Sequence, residues 1–136
     1  MEVIADTTVL IDLWRYHKTP SRLADLTSKV GTAAILVPWI TQAEFSRGAL
    51  FKDVTLATLA NFYLSFQLVP LDQSAMDTYC RLWVDMARVG RAPDYPDLWI
   101  AASAVARKVP ILTRNPKHFR GVPELEIIGY EIVSTQ

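Results

Sequence analysis

The stretch Gly31-Thr32-Ala33-Ala34-Ile35-Leu36-Val37-Pro38 decides the fold class of this chain. Between the glycine and the proline, residues 34–37 form a continuous apolar run, without the alternation of apolar and polar residues that a half-exposed strand shows. Such a run is typical of a strand that is buried on both faces. Because strands of this kind occur in parallel sheets covered by helices, the stretch predicts an α/β protein.

Strand-like and helix-like segments alternate in both directions from this run. Apolar runs predict further strands over 3–5, 67–70, 109–113 and 125–128. Apolar residues at helical spacing predict a first helix that starts near residue 9. The same pattern predicts further helices over 20–30, 39–51, 56–66, 72–88 and 97–108, with a loop over 90–96. This alternation favours an α/β layer fold with a mostly parallel sheet, right-handed crossovers and a single domain over residues 1–136.

Composition excludes several classes of protein. The 136 residues are 51% hydrophobic and 10% aromatic, so the chain can bury one substantial core and disorder is not expected. The 14 Lys and Arg residues balance the 14 Asp and Glu residues, so the overall charge does not indicate a general polyanion-binding protein. The single cysteine, Cys80, excludes an internal disulfide framework and a cysteine-based zinc cluster.

The N-terminal segment carries no targeting pattern. It opens Met1-Glu2-Val3-Ile4-Ala5-Asp6, without a basic segment ahead of an apolar run. The apolar stretch 33–40 is far too short to span a bilayer. Because a single cysteine also fits a reducing compartment, we expect a cytoplasmic protein that does not contact a membrane.

Three acidic residues stand at corresponding places in the predicted fold. Asp6 follows the first strand, Glu44 lies about one helical turn after the second strand, and Asp97 opens the helix that leads into a later strand. Because the carboxyl ends of parallel strands share one edge of a sheet, we expect Asp6 and Glu44 to face the same crevice there. Asp97 can join them if its helix begins on that side.

Each acid also has a structural interpretation. Asp6 can cap the helix that follows the first strand, and Thr41-x-x-Glu44 matches a capping box. Asp94 or Asp97 can cap the last long helix. However, three carboxylates in one crevice repel one another unless a cation lies among them. Oxygen ligands without a His or Cys cluster suit Mg²⁺ or Mn²⁺, which can activate a water for phosphodiester cleavage.

Four motifs occur along the chain in an order and at a spacing that, taken together, indicate a protein family. They are Ile4-Ala5-Asp6-Thr7-Thr8-Val9-Leu10-Ile11-Asp12, Val37-Pro38-x-x-x-x-x-Glu44-Phe45-x-x-Gly48, Asp97-x-x-Ile100-Ala101-Ala102-x-Ala104 and Leu112-Thr113-Arg114-Asn115-x-x-His118-Phe119. This combination resembles the PIN-domain ribonucleases, specifically the VapC-type toxins of bacterial and archaeal toxin–antitoxin modules. The resemblance implies a PIN-like three-layer α/β/α fold, a metal-dependent endoribonuclease, a cognate antitoxin as partner, and a homodimer.

The resemblance also implies roles for individual residues. Asp6, Glu44 and Asp97 match the acidic metal ligands of the family's active site, with Mg²⁺ as the ion and Mn²⁺ as a substitute. Thr8 stands where such proteins often carry Ser or Asn, so its hydroxyl is expected to hold a carboxylate or a water. Asn115 matches a position that is Asp in many PIN nucleases. Its amide is therefore expected to be a hydrogen-bonding member of the site, with one well-held ion and a second only when substrate is present.

The neutral total charge conceals a basic segment over residues 98–123. This segment contains no carboxylate and five cations, which are Arg107, Lys108, Arg114, Lys117 and Arg120. Arg114 is the first choice for contact with an RNA phosphate, and Thr8 is assigned to substrate binding with it. The alternative is an ordinary solvated face balanced by acids elsewhere.

Several other side chains receive structural assignments. Asp12 lies six residues after Asp6, on a different side of an ideal helix, and is predicted to be solvated. Asp94 is a candidate helper of the site, although capping is favoured. His118 is assigned a structural or substrate-edge role. Phe45, Phe51 and the segment 62–66 are assigned to partner contacts.

Two alternatives to an endoribonuclease remain open. The first is a catalytically inactive interaction module of the PIN fold, in which the acids serve only as helix caps. The second is another Mg²⁺-dependent phosphodiesterase or nuclease. The sequence does not identify the RNA, because RNA recognition rests on shape and on unpaired bases that loops define in three dimensions.

Overall fold

The computed structural model describes residues 1–91 and 95–134. Within these residues the chain forms a five-stranded sheet in the order β3-β2-β1-β4-β5, and every neighbouring pair of strands is parallel. The strands are β1 (Glu2–Ala5), β2 (Ala34–Pro38), β3 (Gln67–Val69), β4 (Ile111–Thr113) and β5 (Ile127–Gly129). The prediction of a parallel sheet from the apolar run of β2 is therefore confirmed.

Helices connect the strands. They are α1 (Thr7–Tyr16), α2 (Ala24–Val30), α3 (Trp39–Phe51), α4 (Leu56–Tyr63), α5 (Gln73–Arg88) and α6 (Tyr95–Arg107), with 3-10 turns over Pro20–Leu23 and Pro116–His118. No helix in the described part of the chain is long and apolar enough to cross a membrane.

Several helix boundaries differ from the prediction. Helix α1 begins at Thr7 instead of near residue 9, and α2 begins at Ala24, after a 3-10 turn, instead of at residue 20. Helix α4 ends at Tyr63 instead of continuing to residue 66. Helix α6 begins at Tyr95, inside the segment that was predicted as a loop. Pro96 is compatible with this early start, because the first turn of a helix does not use its backbone N–H groups for internal hydrogen bonds. Asp94, a predicted cap, lies outside the described residues.

The sheet has a core on each face, because successive side chains of a strand point to opposite sides. On one face, Val3 and Ala5 of β1 pack with the buried side chains of α1 and α4. On the other face, Ile4 packs with α6 and with the fully buried Phe119. Helix α5 covers α6 from outside through Leu82 and Met86. The structure thus has the predicted α/β/α layers.

Helix capping explains where two of the helices begin. The carboxylates of Asp6 and Asp72 cap α1 and α5 by accepting from the N–H groups of Thr7 and Ala75, so the structural interpretation of Asp6 as a cap is confirmed. The predicted capping box of Thr41 and Glu44 is wrong, because α3 begins directly after Pro38. Thr41 therefore lies within the helix, where its hydroxyl donates instead to the carbonyl of Ala5 at 2.9 Å.

We expect Phe119→Ala to lower the free energy of unfolding by about 3–5 kcal/mol, because it leaves a cavity between the sheet and the segment after β4. Phe51→Ala is the matched control. The Phe51 side chain is 90% exposed, so its removal is expected to change stability by less than about 0.5 kcal/mol. Urea denaturation of both variants measures the difference, and equal losses would contradict the core assignment.

Candidate active site

Asp6 is the centre of the hydrogen bonds at the carboxyl edge of the sheet. Its buried carboxylate directly follows β1. One oxygen, Oδ1, accepts from the backbone N–H of Thr7 at 2.7 Å. The other, Oδ2, accepts from the hydroxyls of Thr8 at 2.9 Å and Thr113 at 2.7 Å. These donors fix the carboxylate and offset the cost of burying it.

The two hydroxyls also tie β1 to the end of β4. Thr8 Oγ1 accepts from the backbone N–H of Arg114 at 3.2 Å, and Thr113 Oγ1 accepts from that of Asn115 at 3.0 Å. The expectation that Thr8 holds a carboxylate is confirmed. The sequence did not single out Thr113 as a partner of Asp6, although a polar residue that ends an apolar strand is a signal of this kind.

Glu44 is joined to Asp6 through the neighbouring residue. Its Oε1 accepts from the hydroxyl of Thr7 at 2.8 Å, so a threonine that the sequence left unassigned links α3 to the start of α1. Its Oε2 lies 3.8 Å from the guanidinium of Arg47, which is largely exposed. An ion pair of this exposure contributes little to stability.

Asp97 lies in the first turn of α6. Because α6 leads into β4, which is parallel to β1, the helix runs back along the sheet and begins at the edge where the strands end. One turn further along, Ile100 and Ala101 pack against the sheet. The Asp97 carboxylate is half-buried, and its Oδ2 lies 3.5 Å from Nδ1 of His118. His118 thus lies beside a predicted site residue.

The acids have the oxygen donors that a hard divalent cation prefers. A carboxylate offers about four lone-pair positions, and the hydrogen bonds to Asp6 use three of them, so a ligand position remains on this residue. Within residues 1–91 and 95–134, no three His, Cys, Asp or Glu side chains form a ready-made metal cluster. The donor chemistry fits a metal, and the ligand set of Asp6, Glu44 and Asp97 stays a prediction.

The prediction for Asp12 is wrong. This side chain is 1% exposed, and its Oδ2 accepts from Arg114 Nε at 2.8 Å and from the phenol of Tyr130 at 2.6 Å. The spacing from Asp6 was misleading because Asp6 is the cap of α1. Thr8 is the informative reference, since it lies one turn before Asp12 on the same face of the helix, and both side chains contact the segment after β4.

This network shifts the pKa values of both partners of Asp12. Burial raises the pKa of the Tyr130 phenol, and the hydrogen bond to the Asp12 carboxylate raises it further. Burial lowers the pKa of the Arg114 guanidinium, but the hydrogen bond and the charge of Asp12 outweigh it, so the net direction is upward. Both groups therefore remain protonated donors to Asp12 at neutral pH.

A cavity of about 460 Å³ opens beside the carboxylate edge, between α1 and α3. Thr7 and Glu44 form part of its wall. Trp14 and Phe45 supply apolar surface, although Phe45 itself is buried, which contradicts its assignment to partner contacts. The cavity therefore places apolar surface next to the predicted catalytic acids.

Comparison with known proteins relates this arrangement to a family. A family model described as PIN domain matches residues 3–125. The chain belongs to the PIN-domain family. This PIN domain is similar to ribonuclease VapC1 of Methanocaldococcus jannaschii, with 29% identity over 130 residues that cover 96% of this chain and 88% of the relative. It is also similar to ribonuclease VapC5 of Mycobacterium tuberculosis, with 33% identity over 97 residues that cover 65% of this chain and 71% of the relative.

Solved structures give the same fold. The VapBC2 complex of Rickettsia felis, bound to a DNA fragment from its promoter, matches with a TM-score of 0.79 at 20% identity, over 96% of this chain and 100% of that chain. VapBC-5 of Mycobacterium tuberculosis matches with a TM-score of 0.65 at 24% identity, over 94% of this chain and 98% of that chain. These likenesses confirm the predicted PIN-like architecture.

We expect Thr113→Val to lower the free energy of unfolding by about 1–3 kcal/mol. The shape of the side chain is kept, but Asp6 loses a donor and the N–H of Asn115 loses its acceptor. The control is Thr27→Val on the exposed surface of α2, with an expected change below about 0.5 kcal/mol. Chemical denaturation measures both. A Thr113→Val protein as stable as the wild type would contradict the role of this hydroxyl.

Proposed function

We propose that this PIN domain is a metal-dependent endoribonuclease and the toxin of a toxin–antitoxin pair. The observation that carries the proposal is the buried Asp6 carboxylate, which accepts hydrogen bonds from the start of α1 and from the end of β4, at the edge where Glu44 and Asp97 also lie. Helix capping alone explains only the hydrogen bond to Oδ1. The names of the two ribonuclease VapC relatives support RNA as the substrate.

Asp6, Glu44 and Asp97 would hold Mg²⁺, or Mn²⁺ in its place. A bound ion of this kind activates a water and stabilises negative charge on a phosphoryl group. The protein side of the site orients these acids. Thr8 and Thr113 fix Asp6, Thr7 holds Glu44, and His118 lies beside Asp97.

Two further residues complete the proposed site. The side chain of Asn115 is assigned to a hydrogen bond in the site, since its backbone is bound to Thr113 at the same edge. Arg114 is assigned to contact an RNA phosphate, with Thr8 beside it, because a cation near the acids can hold the polyanionic substrate in place. Contacts to phosphate fix the register of the RNA and do not read its sequence.

An antitoxin protein is the proposed partner. We also propose that the chain is a single domain over residues 1–136, that it forms a homodimer, and that the complex is cytoplasmic. The solved relatives are VapBC complexes, which supports a protein partner. Exposed apolar side chains near the end of α3 and along α4 offer a surface for it, since Phe51, Leu56 and Leu64 are each more than two thirds exposed.

We expect purified protein to cleave single-stranded RNA in the presence of Mg²⁺, and Asp6→Asn or Asp97→Asn to lower the rate by at least about 100-fold, because each removes a charge that holds the ion. The matched control is Asp85→Asn, which removes the same charge from the exposed face of α5. Gel assays with and without EDTA measure the rates. Undiminished cleavage by both site variants would refute the assignment.

We expect Mg²⁺ to raise the thermal stability of the wild type and to leave Asp6→Asn unchanged. Asparagine is as good a cap as aspartate, and its amide can donate to the two threonine hydroxyls, so the variant is expected to stay within about 1 kcal/mol of the wild type without metal. At 100 times its Kd, an ion that binds only the folded state adds about 2.7 kcal/mol. Thermal denaturation with a Mg²⁺ series measures this, and an inactive interaction module would show no shift in the wild type.

A further inference from the structure

Asp12 is a buried carboxylate that neither caps a helix nor belongs to the proposed ligand set. It lies in α1 with 1% of its side chain exposed, and both of its hydrogen-bond partners bind through Oδ2. A buried carboxylate is costly unless it is paired, so Asp12 needs Arg114 and Tyr130. Replacing such a pair by apolar residues is often neutral or stabilising, so stability alone is a weak explanation for these charges.

The contact fixes the Arg114 side chain without burying it. Asp12 binds the guanidinium through Nε, while 37% of the Arg114 side chain stays exposed. A guanidinium that is fixed by one bond retains further N–H groups, and its planar arrangement of donors suits phosphate oxygens. Arg114 therefore combines a fixed orientation with access to an anionic ligand.

Tyr130 secures the other side of this arrangement. Its phenol donates to the oxygen of Asp12 that also binds Arg114, and its backbone N–H donates to the carbonyl of Thr113 at 3.3 Å. It lies beyond residues 3–125, which the family model matches. The segment after β5 thus adds a partner to the Asp12 contact that the matched part of the chain does not contain.

The same segment is connected to the proposed catalytic acid. The backbone N–H of Arg114 donates to Thr8 Oγ1, and Thr8 Oγ1 donates to Asp6 Oδ2. Arg114 is therefore two hydrogen bonds away from Asp6 through its backbone, while Asp12 restrains its side chain. This places a restrained cation at the edge of a negatively charged site.

We propose that Asp12 and Tyr130 form a buried clamp that positions the Arg114 guanidinium to bind a phosphate of RNA beside the candidate active site. Asp12 and Tyr130 are positioning residues, because they act through Arg114 and do not touch the substrate. The inference rests on the proposed function, since it assigns the clamp to the binding of the same RNA. An ion pair that serves only stability is the alternative.

RNA binding without catalysis tests the clamp. The probe is a fluorescein-labelled single-stranded RNA oligonucleotide of mixed sequence, titrated with protein in EDTA over a series of salt concentrations. We expect Arg114→Ala and Asp12→Asn each to weaken binding by about 10-fold. We also expect each to lower the slope of log K against log salt by about 0.7, the value for one phosphate contact on a single strand.

A double-mutant cycle separates positioning from stability. If Asp12 acts through Arg114, the double variant binds no more weakly than Arg114→Ala alone. A purely structural Asp12 would leave the salt slope at the wild-type value, and a direct role in binding would add to the effect of Arg114→Ala. In Mg²⁺, the clamp variants are expected to raise KM for RNA with little change in kcat. The reason is that the phosphate contact is lost equally from the bound substrate and from the transition state.

Controls and a milder variant guard against misfolding. Arg88→Ala and Asp85→Asn remove the same charges from the exposed surface of α5, and both are expected to bind as the wild type does. Tyr130→Phe keeps the ion pair of Asp12 and Arg114, so it is expected to weaken binding by a few-fold and to have no effect in the Arg114→Ala background. If Asp12→Asn does not fold, the cycle of Tyr130→Phe, Arg114→Ala and the double variant tests whether the clamp acts through Arg114.

The outcomes distinguish the clamp from the proposed function. The clamp is overturned if Asp12→Asn and Tyr130→Phe bind RNA as tightly as the wild type does. It is also overturned if Arg88→Ala loses as much RNA affinity as the clamp variants. Both results count even if the wild type cleaves RNA. Conversely, a wild type that binds the oligonucleotide through the clamp but cleaves no RNA in Mg²⁺ overturns the nuclease assignment alone. A wild type that does not bind RNA at low salt overturns both.

Discussion

The hydrogen bond between Asp6 and Thr113 is the contact on which the rest of the site depends. It joins side chains that are 107 positions apart, one at the end of β1 and one at the end of β4. A buried carboxylate has to be satisfied by donors. Thr7 and Thr8 supply two of them locally, but Asp6 finds the third, Thr113, only if β1 and β4 are neighbours whose carboxyl ends lie at one edge. The fold and the site are therefore specified by the same interaction.

The charged residues around this edge form two connected groups. One group contains the acids, with Asp6 joined to Glu44 through Thr7. The other contains Asp12, Arg114 and Tyr130. Thr8 connects the groups, because its hydroxyl donates to Asp6 and accepts from the backbone of Arg114. The proposed function uses this separation, because acids suited to a metal lie on one side of Thr8 and a cation suited to a phosphate lies on the other.

Local sequence was sufficient for most of the elements and for the helix-capping contact of one candidate site residue. The apolar run of β2 predicted the parallel sheet, and the bounds of α3 were predicted as the structure has them. Both patterns, a continuous apolar run and helical periodicity, can be recognised from residues that are close together in the chain. Asp6 could be placed for the same reason, since a cap contacts the N–H groups just after it. Thr41 shows the limit. Its spacing to Glu44 fits a capping box, but its hydroxyl instead bonds to a strand 36 positions away.

By itself, the sequence determined the alternation of strands and helices and the cap at Asp6, because these are properties of neighbours along the chain. It also carried the resemblance to the PIN domains, from which the three acids are predicted as metal ligands. Only the tertiary structure decided that Asp12 is buried, since its partners Arg114 and Tyr130 are 102 and 118 positions away. It also decided that Thr113 binds Asp6. Periodicity indicates which apolar side chains are buried, but the partner of a buried charge depends on which strands become neighbours, and no local pattern carries that information.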